Sequence, residues 1–188
     1  MIELENNPDP AIKLFWDVLR PAAGCDFRQA CWGWNQAQVL NSEDAVPAKN
    51  KNNIISYLEF INKRSVLTMF FFLDDRFSRG RYQILNTYEN PNNYFRDYKM
   101  LRRSLLDIYD TPIRDDLILF DLKNPNPRPS DYGQLVHDGM LSIFAEWQTD
   151  KNRILLGFCH KAGRVLRAVD FTPMDSKYQQ PSLQELDF

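Results

Sequence analysis

The sequence predicts a soluble α+β domain made of two helix-plus-antiparallel-meander repeats, with the helices packed on one face of the sheet. Three observations support this prediction. Strand-like segments follow one another through short polar turns, and short turns force neighbouring strands to pair antiparallel. A helix-like segment precedes each group of three strands. The 188 residues suit one domain.

The chain divides into four predicted units. They are an N-terminal helix and arm at 1–24, a first α-βββ repeat at 25–89, a second α-βββ repeat at 90–172 and a polar tail at 173–188. Residue identity between the repeats is low, so the prediction rests on the order of elements and the spacing of turns. We expect the tail to be flexible or to form a strap over the sheet.

The N-terminal unit contains a short amphipathic helix over 11–20. Phe15, Trp16 and Leu19 recur at helical spacing, which predicts one apolar face. Pro21 ends the helix, because proline lacks the amide hydrogen that a continuing helix requires.

A second helix begins after Asn35 and runs to about Asp44. Asn35 and Gln38 have the spacing of a capping box, in which each side chain bonds the backbone amide of the other. Trp34 and Val39 are spaced for a hydrophobic contact across the cap.

Three strands of the first repeat are predicted at 54–61, 65–73 and 77–85. The middle strand has apolar residues on both faces. One face carries Val66, Thr68, Phe70 and Phe72, and the other carries Leu67, Met69, Phe71 and Leu73. Helices can cover one face. The N-terminal helix, the tail or a partner chain must then cover the other.

The second repeat opens with the longest predicted helix, which starts in the turn at 90–93 and closes at 110–112. Its apolar stripe consists of Tyr94, Tyr98, Leu101, Leu105 and Ile108. Asp97 and Arg103 fall off this stripe, so we expect both to face solvent.

The region between this helix and the last strands is less regular. The segment 117–122 fits either a strand or a helical turn, and the proline-rich segment 124–130 predicts an extended loop. A second meander follows at 140–149, 153–159 and 164–171, where apolar and polar residues alternate. His160 is expected in the turn after its middle strand.

A resemblance to known proteins lies in the segment Asp26-Phe27-Arg28-Gln29-Ala30-Cys31-Trp32-Gly33, followed by the capped helix. This segment resembles a group of uncharacterised bacterial proteins whose entry motif reads Asp-Phe-Arg, three residues, then Trp-Gly. Residues 77–82, 93–98 and 147–149 also look like that group. The resemblance covers roughly 26–171 through scattered motifs, and it implies no activity.

More distantly, the capped helix followed by a meander is similar to the β-lactamase-inhibitor proteins and the small outer-membrane-assembly lipoproteins. Those folds combine helices with an antiparallel sheet and bind other proteins, so the resemblance implies protein binding. The sequence departs from the bacterial group at Tyr109-Asp110-Thr111-Pro112, where the group has glycine in place of Asp110. Glycine ends helices in the left-handed conformation more easily than aspartate does.

Composition argues against several classes of function. The net charge of −2 provides no overall field for nucleic acid or anionic membrane. No apolar run approaches the ~20 residues of a membrane-spanning helix. An odd number of three cysteines argues against a disulfide framework. Cys25 and Cys31 could pair in an oxidising compartment, but a reduced, cytoplasmic protein is the simpler account. Ala22 to Cys25 looks like a lipoprotein cleavage box, but charged residues interrupt the apolar stretch upstream. An export signal ahead of a misassigned start would change the predicted location.

Chemical motifs are sparse. Cys159 and His160 are adjacent on a strand, so they point to opposite faces and cannot form a dyad. Cys25 and Cys31 are too widely spaced for a typical zinc site with Cys159 and a histidine. The carboxylate pairs at 74–75 and 115–116 fall where polar turns are expected. We predict no metal and no cofactor.

The leading functional prediction is a non-enzymatic protein-interaction module that binds a protein partner or a second copy of itself. Its candidate interface residues are Phe70, Phe72, Trp32 and Tyr82, since aromatic residues are enriched at binding surfaces. Core packing is the competing interpretation for the tryptophans.

Two other functions remain open. One is a small-molecule hydrolase that uses acidic residues and His137 in a cleft beside the proline-rich loop. The weaker one is nucleic-acid binding through Arg79, Arg81 and Arg102, although basic clusters usually form only a solvated surface.

Overall fold

The computed structural model describes residues 14–120 and 126–178. Its helices are α1 (Phe15–Leu19), α2 (Gln36–Ser42), α3 (Asn92–Tyr109) and α4 (Tyr132–His137). Its strands are β1 (Lys49–Lys51), β2 (Ile54–Ile61), β3 (Arg64–Leu73), β4 (Arg76–Ile84), β5 (Arg114–Leu119), β6 (Leu141–Gln148), β7 (Asn152–Lys161) and β8 (Arg164–Pro173). The predicted start of the first helix, the proline at 125 and most of the polar tail lie outside the described residues.

All eight strands form one antiparallel sheet in the order β1-β2-β3-β4-β8-β7-β6-β5. Each half of the chain contributes four neighbouring strands, and β4 pairs with β8 where the halves meet. This arrangement confirms the α+β class and the antiparallel pairing. Each half nevertheless has four strands instead of three, because β1 and β5 add an edge strand to each predicted meander.

The two faces of the sheet differ in what covers them. On the inner face, strand residues such as Tyr57, Phe70 and Trp147 share one core cluster with the buried side chains of the helices. On the outer face, a separate cluster of Phe144, Cys159, Leu166 and Ala168 contains no side chain from a described helix. The helices therefore bury the inner face.

Tight turns fix the register of the meanders. Asn62 and Lys63 have φ values of 48° and 60°, and Asp74 and Asp75 have values of 49° and 56°. Two consecutive left-handed residues match the right-handed twist of paired strands. The predicted polar turns are thus present, and β2, β3 and β4 pair as a meander.

The capping box of α2 is present as predicted. The Asn35 side chain accepts a hydrogen bond from the Gln38 amide at 2.9 Å, and the Gln38 side chain accepts one from the Asn35 amide at 2.9 Å. These two bonds satisfy amides that a helix start otherwise leaves without a partner.

Helix α3 confirms the predicted apolar stripe but corrects one of its polar positions. Tyr94, Tyr98, Leu101 and Leu105 are buried, as expected. Asp97, which we expected to face solvent, is fully buried. It is buried because Arg64 and Arg167 supply opposite charges from two strands.

Asp110 follows α3 with φ of 64° and ψ of −148°, a positive-φ conformation that glycine adopts more easily than aspartate. Beyond it, the strand β5 includes 117–119 of the segment 117–122 that fitted either a strand or a helical turn, and 121–122 lie outside the described residues. Helix α4 was not predicted, and His160 lies in strand β7 instead of a turn.

Candidate functional site

The four predicted interface residues all lie in the core. Phe70, Phe72, Trp32 and Tyr82 are each at most 9% exposed. Trp32 Nε1 donates to Asn152 Oδ1 at 2.8 Å, and the Tyr82 hydroxyl donates to the Val18 carbonyl at 2.7 Å. Their polar atoms are therefore satisfied inside the protein, and a partner cannot reach these side chains. An interaction surface has to be carried by other residues.

The outer face provides such residues at the β2 end of the sheet. Leu58 and Phe60 are 63% and 70% exposed, and they project from the face opposite the helices. Leu58 lies beside Leu67 of β3 in the strand register. We call Leu58, Phe60 and Leu67 the β2 strip.

The outward direction of Leu58 and Phe60 is linked to one charged residue on the other face of β2. Glu59 shares the inner face with Tyr57 and Ile61. Arg28 Nη1 lies 2.5 Å from Glu59 Oε2 beneath the sheet, and this ion pair allows the carboxylate to turn inward. Leu58 and Phe60 then have to point outward.

The backbone edge of β2 is open beside the β2 strip. Strand β1 pairs with β2 only from Ile54 to Ser56, whereas β2 continues to Ile61. The Ser56 carbonyl accepts from Ala48, so Ser56 faces the edge. Because strand residues alternate in direction, the amide and carbonyl groups of Leu58 and Phe60 also face it. No described strand pairs with them there.

The predicted nucleic-acid-binding arginines are engaged with carboxylates. Arg81 and Arg79 both make two hydrogen bonds to Asp170, at 2.7 and 2.7 Å and at 3.1 and 2.8 Å. Burial raises the pKa of Asp170 to about 6, and the charge of Arg81 opposes that rise. Arg102 pairs with Asp115 at 2.6 Å. None of the three is an uncompensated cation.

His137, the predicted hydrolase residue, lines a hollow of about 190 Å³ between the end of β4, the first turn of α3, the end of α4 and the β7–β8 turn. His160 and Arg164 line the same hollow. The His137 and His160 ring centres are 6.5 Å apart. No aspartate or glutamate is among the described residues that line it, so the carboxylates at 74–75 and 115–116 are not brought to His137.

The cysteines form no site together. Cys159 is buried on the outer face, and burial raises the pKa of its thiol to about 11. Cys25 and Cys31 lie in the loop before α2 as free thiols. Within the described ranges, no group of three histidine, cysteine or acidic side chains is arranged to hold a metal ion.

Comparisons with known proteins do not assign a family to this fold. No family model, curated protein or solved structure matches the chain. The resemblances to the bacterial group and to the inhibitor and lipoprotein folds remain predictions. Among residues 14–120 and 126–178, no helix has the length and apolar character to cross a membrane.

Proposed function

We propose that this protein is a non-enzymatic interaction module that binds an extended acidic segment of another protein along the open edge of β2. The observation that carries the proposal is the coincidence of an unpaired backbone edge with the two exposed apolar side chains of Leu58 and Phe60. Addition of a strand to a sheet edge is a common mode of peptide recognition, in which backbone hydrogen bonds provide affinity and alternate side chains provide specificity.

The apolar contribution comes from the β2 strip. Scattered exposed apolar residues are normal on protein surfaces and need no explanation. Leu58 and Phe60 differ because their backbone amide and carbonyl groups are not paired with any described strand. Proteins usually protect such an open strand edge from pairing with other chains. A segment with apolar residues at alternate positions would pair with the edge and cover both side chains.

The charged residues around the edge indicate which kind of partner would bind there. Lys49 and Lys51 on β1 and Lys63 in the β2–β3 turn are exposed. None of the three forms an ion pair with a described residue. Lysines of this kind oppose pairing between two copies of the same edge, since like charges would meet. They favour an acidic partner over a second copy of the chain.

The predicted repeat supports this proposal from a second direction. If the halves are repeats, β5 is the counterpart of β1, since each is the edge strand of its half. Strand β5 pairs with β6 over six residues, from Arg114 to Leu119, whereas β1 covers only three residues of β2. Strand β5 is itself an unpaired edge of the described sheet, so the feature that would set the first half apart is the part of β2 left open beyond its short edge strand.

A labelled peptide tests the proposal. The probe is a fluorescent peptide of about nine residues in which valine and glutamate alternate, the length of a long strand. We expect saturable binding in fluorescence anisotropy that weakens as salt rises, because exposed charges are screened. Methylation of alternate backbone amides in the peptide should abolish binding, since it removes the donors that pair with β2.

The matched variants are Phe60→Glu and Phe120→Glu. Phe120 is 62% exposed at the opposite edge of the sheet, so both changes place a carboxylate at an exposed phenylalanine. Phe60→Glu should weaken binding by about tenfold or more, from the lost burial of one aromatic side chain. Phe120→Glu should leave it unchanged. Equal losses in both variants, or a dimer in light scattering that only Phe60→Glu dissociates, would overturn the proposal.

A further inference from the structure

The hollow that contains His137 and His160 has a second property that the interaction module does not use. Its volume of about 190 Å³ far exceeds the ~15 Å³ that one water requires, so a small ion fits with some of its hydration. Its lining combines apolar and polar residues. The polar side chains of the lining are Gln83, Asn86, Thr87, Tyr94, His137, His160 and Arg164.

Arg164 gives the hollow a positive charge. Its guanidinium makes no hydrogen bond or ion pair with the described residues. Most other arginines of the protein differ in this respect, as the pairing of Arg79 and Arg81 with Asp170 shows. An uncompensated guanidinium at the edge of a hollow is suited to bidentate contact with a phosphate or a similar anion.

The two histidines share one tautomer, and the structure decides which. His160 Nδ1 lies 2.6 Å from the His137 carbonyl oxygen, which can only accept, so Nδ1 carries the hydrogen. His137 Nδ1 lies 3.1 Å from Asp138 Oδ1. Hydrogen bonds from Gln134 and His137 hold the pKa of Asp138 below its usual value, so this carboxylate also accepts. In both neutral rings Nε2 is therefore the nitrogen without a hydrogen.

Protonation changes what the two rings present. Each Nε2 then becomes an N–H donor and each ring gains a positive charge. The charged groups beside the rings are Asp138, which is bonded to His137, and Arg164. Arg167, whose guanidinium lies 4.7 Å from the Tyr94 ring centre, is paired with Asp97. Arg164 is therefore the cation of the lining that no described carboxylate compensates.

We propose that this hollow binds a tetrahedral oxyanion of the phosphate type, with Arg164 as its permanent cation and with His137 and His160 as donors through Nε2 in their protonated forms. The binding is independent of the β2 edge, which lies in the first half of the sheet beyond β3. Charge-assisted hydrogen bonds contribute more than neutral ones, so the site strengthens when the histidines are charged.

Calorimetric titration of the full chain tests the proposal. Sulfate is the first probe, because it stays dianionic between pH 5.8 and pH 7.8, and we expect saturable binding at both values. Inorganic phosphate and phenyl phosphate are the second pair of probes at each pH. Equal affinities indicate a free ion as the natural ligand, and tighter binding of the ester indicates a phosphorylated molecule. If none of the three probes shows saturable binding, the proposal is overturned.

Matched variants separate this site from a general effect of charge. Arg164→Gln should weaken sulfate binding by about tenfold, whereas Arg76→Gln, which removes an exposed arginine from the β3–β4 turn, should change it less than twofold. The double variant His137→Gln and His160→Gln should retain binding at pH 7.8 and should remove any difference in affinity between the two pH values. Equal losses in the two arginine variants, or a pH dependence that survives the double variant, would show that no such site exists.

Discussion

Removal of the charge on Asp97 is expected to destabilise the protein strongly. Asp97 Oδ1 lies 2.7 Å from Arg64 Nε, and its Oδ2 lies 3.6 Å from Arg167 Nε. Arg167 is 1% exposed. Burial lowers the pKa of Arg167, and the charge of Asp97 opposes that lowering. The carboxylate of Asp97 thus compensates the charge of the buried Arg167 guanidinium.

The Asp97→Asn variant keeps the shape of the side chain and removes its charge. An uncompensated charge left in the interior by loss of its partner costs about 3–5 kcal/mol. For a domain of this size, each kcal/mol lowers the melting temperature by about 2–4 °C, so we expect a decrease of about 6–20 °C. Urea unfolding and calorimetry would measure both quantities.

The control for this variant lies on the same helix. Asp107 pairs with Arg103 at 3.1 Å, but these side chains are 42% and 76% exposed. Asp107→Asn should therefore cost no more than about 0.5 kcal/mol. If Asp97→Asn fails to fold, the double variant Asp97→Leu and Arg167→Met should fold, because apolar residues of similar volume can replace a buried ion pair. Similar costs for Asp97→Asn and Asp107→Asn would refute the reasoning.

Two further predictions concern the core and the buried thiol. Gly80→Ala would place a Cβ 2.4 Å from Phe27 Cγ. Phe27 is confined by Phe70, Tyr82 and Phe171, so its ring cannot move away freely. We therefore expect the free energy of unfolding in urea to fall by about 1–3 kcal/mol. Gly163→Ala meets no atom within 4 Å and pays only the strain of φ 79°, so a larger loss there would contradict the packing argument. Because burial raises the pKa of Cys159 to about 11 from 9.0, its thiolate population at pH 8 is about a hundredfold below that of an exposed thiol. Ellman's reagent should therefore modify Cys159 far more slowly than Cys25, and equal rates in the native protein would contradict this.

Local patterns predicted the elements that local physics controls. The Asn35–Gln38 capping box and the apolar stripe of α3 depend on residues within a few positions of each other, so they can be read from the chain. The polar turns that join the strands of each meander belong to the same class. Helix α4 was missed because its six residues carry too short a pattern to distinguish from a loop.

The candidate surfaces depended on contacts that no local pattern contains. The choice of Phe70 and Phe72 as interface residues followed from the apolar character of both faces of β3, which does not say which face meets the helices. A signal was present in β2, where Leu58 and Phe60 flank Glu59. Its correct interpretation required the distant Arg28 as the partner of that carboxylate.

The sequence by itself determined the α+β class, the antiparallel order within each half and the positions of most helices and strands, because helix caps, turns and hydrophobic periodicity act over a few residues. The tertiary structure alone decided which side chains face inward. Asp97 and Arg167 are buried and Glu59 is turned inward because residues far along the chain supply the opposite charges, and a buried charge is stable only with such a partner. The same long-range pairing left Leu58 and Phe60 on the outside and brought His137, His160 and Arg164 to one hollow.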